Sequence, residues 1–213
     1  MDLSDPQARG KSRDTRFIDR VFSEDERQQI LNCSEPDFLL WSLWAGKETA
    51  YKAVRKSYSE AISVPRRYGV KLNDPDDGII RKVPFISGIV ETPYDPVSIR
   101  IFINEDYVHC IGITGELEAI NSATRGVHKT SQGNGFHFST DSPSLKVRQL
   151  AKKAISSYLD QDIENIDIRR FRGSCGLGPP TVFIKGKAEM VDISLSHDGN
   201  FIAYAFTDHC SPI

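Results

Sequence analysis

The sequence predicts an α+β protein made of two similar units, each a long helix with a small antiparallel sheet. Three observations carry this expectation. A stretch of helical apolar spacing runs from about Ser34 to Tyr58, with Leu40, Leu43, Trp44 and Tyr51 on its apolar positions. Four short β-type runs follow it. The same order of long helix, strands and closing hairpin then returns between Ser142 and Thr207.

Bulk properties set outer bounds. The 213 residues can form one sizeable domain or two small ones. A net charge of -2 gives no sign of wholesale binding to nucleic acid or to a membrane surface. No apolar run approaches the ~18 residues a membrane helix needs, and no secretory leader is visible. Cys33, Cys110, Cys175 and Cys210 are scattered without a Cys-x-x-Cys pair, which fits reduced thiols in a cytoplasmic protein. Zinc held by Cys210 with His209 is the less favoured alternative.

Taken in order, Met1 to Arg13 is polar and broken by Pro6 and Gly10, so little structure is expected there. Phe17, Ile18, Val21 and Phe22 mark a short helix over Thr15–Phe22. Ser23 opens a second helix to about Cys33, because Ser23 and Glu26 form a capping box. Pro36 sits in the first turn of the long helix, where its missing N–H costs nothing. Beyond Pro65 come strands at Tyr68–Leu72, Val83–Glu91, Pro96–Ile103 and Tyr107–Thr114. In the third, Val97, Ile99, Ile101 and Ile103 alternate with Ser98, Arg100 and Phe102. Asn104-Glu105-Asp106 supplies the turn before the fourth. Gly115 to Thr140 is rich in Gly, Ser, Thr and Asn and reads as a linker or loop. Ser142-Pro143 starts another helix, with its apolar stripe from Leu145 to Tyr158. Ile166–Phe171 reads as a strand, Gly173–Pro180 as a tight loop, and Met190–Ser196 with Phe201–Thr207 as a hairpin around Asp198-Gly199. Phe102–Ile111 can be laid on Leu195–Tyr204, as a repeat of pattern more than of identity.

The chemistry-bearing string lies in the long helix: Trp44, Lys47, Glu48 and Lys52. Glu48 and Lys52 are four apart and share a face, which by itself most often means a solvated ion pair. The whole string, Trp-x-x-Lys-Glu-x-x-x-Lys, closely resembles the signature helix of the 4'-phosphopantetheinyl transferases. Enzymes of that family move the phosphopantetheine arm of coenzyme A onto a serine of a carrier protein. The resemblance extends to the two units. Small members are single α+β units that trimerise, and larger members join two such units in one chain. Here residues 142 to 206, ending in Ser194-Leu195-Ser196-His197-Asp198-Gly199, look like the first unit of the large type, and residues 1 to 114 look like its second. The chain therefore reads as a circularly permuted two-unit member: 1–115 the metal and catalytic unit, 116–140 a linker, and 141–213 the coenzyme A unit. A small-type member with a long insertion is the alternative.

The resemblance implies Mg²⁺ as cofactor, coenzyme A as co-substrate, an acyl or peptidyl carrier protein as partner, and a monomer. Glu48 is implied as metal ligand, and acidic side chains suit that ion. Lys52 is implied at the reaction centre, as base or phosphate contact. Glu26 follows an Arg20-Val21-Phe22-Ser23 string matching that before a candidate base, although its capping role stands equally. Lys47 could reach a phosphate, with a solvated lysine as the competing reading. His197 and Ser196 are implied as coenzyme A contacts. Arg169, Arg170 and Arg172 are candidates for the 3'-phosphate, with Arg170 taken first, since guanidinium suits phosphate. Arg13, Arg16, Arg20 and Arg27 are candidates for an acidic carrier surface.

Two departures stand against the family pattern. Pro179 replaces the lysine of a Gly-Lys-Pro segment, so that contact is lost or comes from elsewhere, such as Lys185. The family's Gly-x-Asp metal strand has no counterpart in Met1-Asp2-Leu3, where only Asp2 offers an acidic residue to the metal. An incomplete metal site would make the chain a binding member that holds coenzyme A or a carrier protein without transfer.

Overall fold

The computed structural model describes residues 1–73, 83–115, 117–130, 142–173 and 176–208. It divides into two compact units, Met1–Asn121 and Ser122–Ile213.

In the first unit, the short helices α1 (Thr15–Val21) and α2 (Glu24–Asn32) precede the long helix α3 (Pro36–Ser57). Strands β1 (Gly69–Leu72), β2 (Ile86–Glu91), β3 (Val97–Ile103) and β4 (Val108–Thr114) form an antiparallel meander in that order. The capping box at the start of α2 is present, with both Ser23 and Glu26 bonded to each other's backbone. The core is the seam between α3 and the sheet. Leu39, Leu40, Leu43, Ala50 and Val54 meet Val70, Val90, Val97, Ile99, Ile101 and Val108. Helix and strand approach closely at Gly112, where a Cβ would stand 2.8 Å from Thr49 Cγ2 and 3.0 Å from Ile99 Cγ2. Glycine is therefore required there by space alone.

The first dozen residues are more ordered than their composition suggests. Met1 and Leu3 pair with β4 from its open edge, through Val108 N to the Met1 carbonyl (3.0 Å) and Leu3 N to the Asp106 carbonyl (2.8 Å). Two 3-10 turns, Pro6–Ala8 and Lys11–Arg13, follow. Asp37, in the first turn of α3, holds the second of them by accepting from Gly10 N (2.6 Å) and Ser12 N (2.8 Å). Burial pushes the Asp37 carboxyl up, but the Ser12 backbone and hydroxyl donors, Gly10 N and the charge of Arg13 together outweigh it and hold the group below its usual range. A depressed folded pKa contributes stability above the unfolded value, about 3.9, and loses it as pH falls through the folded value. Protection of the Gly10 and Ser12 amides, measured against their intrinsic exchange rates, should therefore fall below about pH 4, and Asp37→Asn should lower it comparably at neutral pH. Unchanged exchange in the variant would mean the segment is held by other contacts.

The second unit opens with β5 (Thr124–Lys129), followed by α4 (Pro143–Leu159). Then come β6 (Ile166–Gly173), β7 (Gly176–Ile184), the short β8 (Lys187–Ala188), β9 (Val191–Asp198) and β10 (Phe201–Asp208). One sheet has the order β5-β10-β9 and the other β6-β7-β8. Ala151 and Ile155 of α4 close the core over Ile166, Ile168, Val182, Val191, Ile193 and Phe206.

Two sequence expectations are corrected. Residues 124–129, read as linker, are a strand: β5 pairs with β10 along its length. Its Gly126 sits opposite Tyr204, whose ring takes the place of a side chain, since a Cβ on Gly126 would lie 2.6 Å from the Tyr204 ring. Gly126→Val should therefore cost about 1–3 kcal/mol by overpacking. Adding Tyr204→Ala should remove most of that penalty in a denaturation double-mutant cycle; strictly additive losses would refute the pairing. The second correction concerns Gly173–Pro180. Residues 176–180 belong to β7, and the strand tolerates Pro179 and Pro180 because the register shifts between Arg170 and Arg172. Residues 131–140 of the expected linker, and Cys210 with His209, lie outside the described residues.

The two units share a start: in each, a leading segment pairs with the last strand, and the long helix intervenes before the remaining strands. They differ in their sheets, one of four strands in the first unit and two of three in the second. The hairpins aligned from sequence have different turns. Ile103 pairs with Val108 across four residues, whereas Asp198 pairs with Phe201 across Gly199-Asn200, with Gly199 at φ 50°. Laying Phe102 on Leu195 therefore puts the two arms out of register.

Candidate functional site on the long helix

Adjacent residues on an α-helix point about 100° apart, and α3 uses this to separate Lys47 from Glu48. Lys47 goes into the core and is 2% exposed. Its Nζ donates to both oxygens of Glu26 (2.7 and 2.8 Å), to the Tyr68 carbonyl (2.6 Å) and to the Pro65 carbonyl (3.3 Å). Glu26, also 2% exposed, accepts in addition from Ser23 N (2.8 Å) and Val70 N (2.9 Å). Burial holds the Lys47 ammonium below the usual lysine range, against the opposing charge of Glu26. Buried charges persist when paired and fully hydrogen-bonded, and this pair is. The solvated lysine expected at position 47 is thus corrected. Both carboxylate oxygens of Glu26 are likewise taken up inside the unit, leaving no side toward a substrate hydroxyl.

Glu48 is half-buried, and no described residue bonds its carboxylate. Its negative charge is felt by Tyr68, whose phenol is pushed up mainly by burial and further by this carboxylate. Lys52 lies one turn further on and is exposed. Its cation is felt by Cys110 beneath it, although burial dominates there and pushes the thiol up to about 12. Cys110 is accordingly no nucleophile at neutral pH. Thr49 ties this part of α3 to β4 through its hydroxyl, which donates to the Cys110 carbonyl at 3.2 Å.

Asp2 is fully buried, and its Oδ1 accepts from Ser4 N (2.9 Å) and Ser4 Oγ (2.6 Å). Its backbone is bridged to Tyr107, while Met1 and Leu3 on either side pack against the cluster under α3. Among the described residues no group of three His, Cys, Asp or Glu side chains converges as a metal site. A single carboxylate still fits one mode of Mg²⁺ binding, in which substrate phosphates and waters complete the shell. On α3 the candidate to supply it is Glu48.

In the second unit, His197 is exposed at the end of β9, opposite Ile202, and Ser196 is half-buried opposite Ala203. Arg170 donates from Nε to the Gly178 carbonyl (2.7 Å) and more weakly from Nη2 to the Leu177 carbonyl (3.5 Å). It thereby staples the bulge of β7 that contains Gly178 and Pro179. Arg169 pairs with Asp167 at 2.6 Å. Arg172 is exposed and bonds to no described side chain, which leaves it the most available of the three. In the carrier-facing set, Arg27 is engaged by Asp19 and Glu24, while Arg13, Arg16 and Arg20 are exposed.

Sequence reasoning missed a cleft of about 320 Å³ lined by Leu3, Ala8, Arg9, Asp37, Phe38, Trp41 and Glu105. It holds none of the expected site residues. Its only sequence signal was Trp41, whose indole donates to the Ala8 carbonyl at 2.9 Å.

The described helices include none long and apolar enough to cross a membrane. No curated protein and no solved structure matches the chain. The family profile described as the 4'-phosphopantetheinyl transferase superfamily matches residues 1–108, which is just over half of the sequence and spans α1 to the start of β4. The chain belongs to the 4'-phosphopantetheinyl transferase superfamily.

Proposed function

We propose that the chain transfers 4'-phosphopantetheine from coenzyme A to a serine of an acyl or peptidyl carrier protein, with Mg²⁺. The observation that supports this reading most is the state of Glu48. On the helix that carries the family signature, its carboxylate is half-exposed and bonded to no described residue, one turn from Lys52. In the reaction the serine oxygen attacks the β-phosphorus of coenzyme A. The bond from that phosphorus to the bridging oxygen breaks, and adenosine 3',5'-bisphosphate leaves. Mg²⁺, when bound, neutralises the charge that builds on the pyrophosphate oxygens. Glu48 would hold it, and Lys52 would contact a phosphate or take the serine proton. Glu26 and Lys47 are not given reacting roles. His197, Ser196 and Arg172 are proposed for the coenzyme A end, in place of Arg170.

A second reading is favoured by the absence, among the described residues, of a group of three His, Cys, Asp or Glu side chains that could hold a metal. It is a member that binds coenzyme A or a carrier protein without transfer. The test is the intact mass of apo carrier proteins after incubation with this chain and coenzyme A, with and without Mg²⁺. A gain of one phosphopantetheine that requires metal supports the transferase. No gain on several carriers, with coenzyme A still raising the melting temperature, supports the binding member.

A further inference from the structure

Lys47 and Glu26 are the two most deeply buried charges of the first unit's core apart from Asp2. They connect three elements at one point. Glu26 belongs to the first turn of α2 and caps it; Lys47 is mid-way along α3; Val70 N lies in β1; Pro65 opens and Tyr68 follows a 3-10 turn (Pro65–Arg67) that leads into β1. The ammonium therefore has four acceptors on elements other than its own helix. A helix held by apolar contacts alone can slide or roll by a fraction of a turn, because those contacts are non-directional. Hydrogen bonds with fixed partners are directional, and these fix where position 47 points.

We propose that the Lys47–Glu26 pair is a positioning device for the site: it sets the rotation of α3, and so determines that Glu48 and Lys52 face outward together. Glu48 follows Lys47 immediately, so turning Lys47 out of the core would turn Glu48 by the same angle. The neighbouring contacts agree with a fixed rotation. Gly46 faces Ile99 and Val70, where a Cβ would stand 3.2 Å from each, and Thr49 is bonded to the Cys110 carbonyl. The pair acts through Glu48 and Lys52 and touches no reacting atom itself.

The test compares Lys47→Met with the double variant Glu26→Gln/Lys47→Met. Lys47→Met leaves a buried, uncompensated carboxylate and should lower the melting temperature by roughly 10 °C or more. The double variant buries no charge and should recover about half of that loss or better. Readouts are then taken well below the melting temperature, where the double variant is folded. The chain's two tryptophans, Trp41 and Trp44, both lie on α3 in the two turns before Lys47, so their emission reports the rotation of the helix. A changed rotation should shift that emission to the red in the folded double variant. Transfer should fall about 100-fold in kcat, the scale of an ångström-sized misplacement, with a pH–rate profile of unchanged shape.

The transfer arm rests on the transferase reading, whereas the fluorescence arm does not, so a wild-type chain that transfers nothing would sink that reading alone. Wild-type emission together with wild-type kcat in the folded double variant would overturn the proposal and make the pair a stabiliser only. Unchanged emission with loss of the acidic limb in Glu26→Gln would overturn it in the other direction, making Glu26 the base.

Discussion

Lys47→Met is expected to destabilise the first unit by about 3–5 kcal/mol, the cost of stranding one member of a buried ion pair. Methionine matches the length and apolar stem of lysine, so little packing volume is lost. What remains is a Glu26 carboxylate in the core with two amide donors, Ser23 N and Val70 N, and no cation. The Tyr68 carbonyl also loses its 2.6 Å donor. Urea denaturation followed by circular dichroism gives the number. A loss below about 1 kcal/mol, the range of exposed pairs, would show that water reaches the pair and that the site is not a closed core. The surface pair Lys71–Glu91, with side chains more than 60% exposed, provides the control and should show almost no effect when broken.

Glu48→Gln should do the opposite: leave stability within about 0.5 kcal/mol and lower kcat by at least 100-fold. Nothing described bonds the Glu48 carboxylate, so no fold-stabilising contact is removed. The amide keeps the shape but not the charge that would hold a divalent ion against two phosphates, an effect on the scale of several kcal/mol. Steady-state kinetics beside a melting curve separates the two effects. A large fall in melting temperature would show that Glu48 has a structural partner, and an unchanged kcat would remove it from the chemistry.

The order of helices and strands was legible because the signals were local. Pro36, the Ser23–Glu26 box and the alternation of Val97, Ile99, Ile101 and Ile103 each specify structure within a few residues. β5 was not legible, because its pattern depends on a distant residue: Gly126 is tolerated in a strand only since Tyr204 covers it from β10. β7 was hidden for a similar reason, its Pro179 being accommodated in a bulge of β7 itself that Arg170 of the partner strand holds through the Gly178 carbonyl. The string around Glu48 made α3 the helix to read for chemistry, but which of two neighbouring charged residues faces the core is a tertiary question. Lys47 turned inward because Glu26, Tyr68 and Pro65 offer it acceptors from other elements.

The central claim is that Glu48, alone among the described carboxylates of this helix face, holds a divalent metal together with the pyrophosphate of coenzyme A. The most direct test is the dissociation constant of coenzyme A, measured by titration calorimetry with and without Mg²⁺, for the wild-type chain and for Glu48→Gln. The account predicts that Mg²⁺ tightens binding to the wild-type chain at least tenfold, about 1.4 kcal/mol, and that Glu48→Gln abolishes this increment while keeping the metal-free affinity. An equal increment in both proteins would contradict the claim and place the metal on other residues.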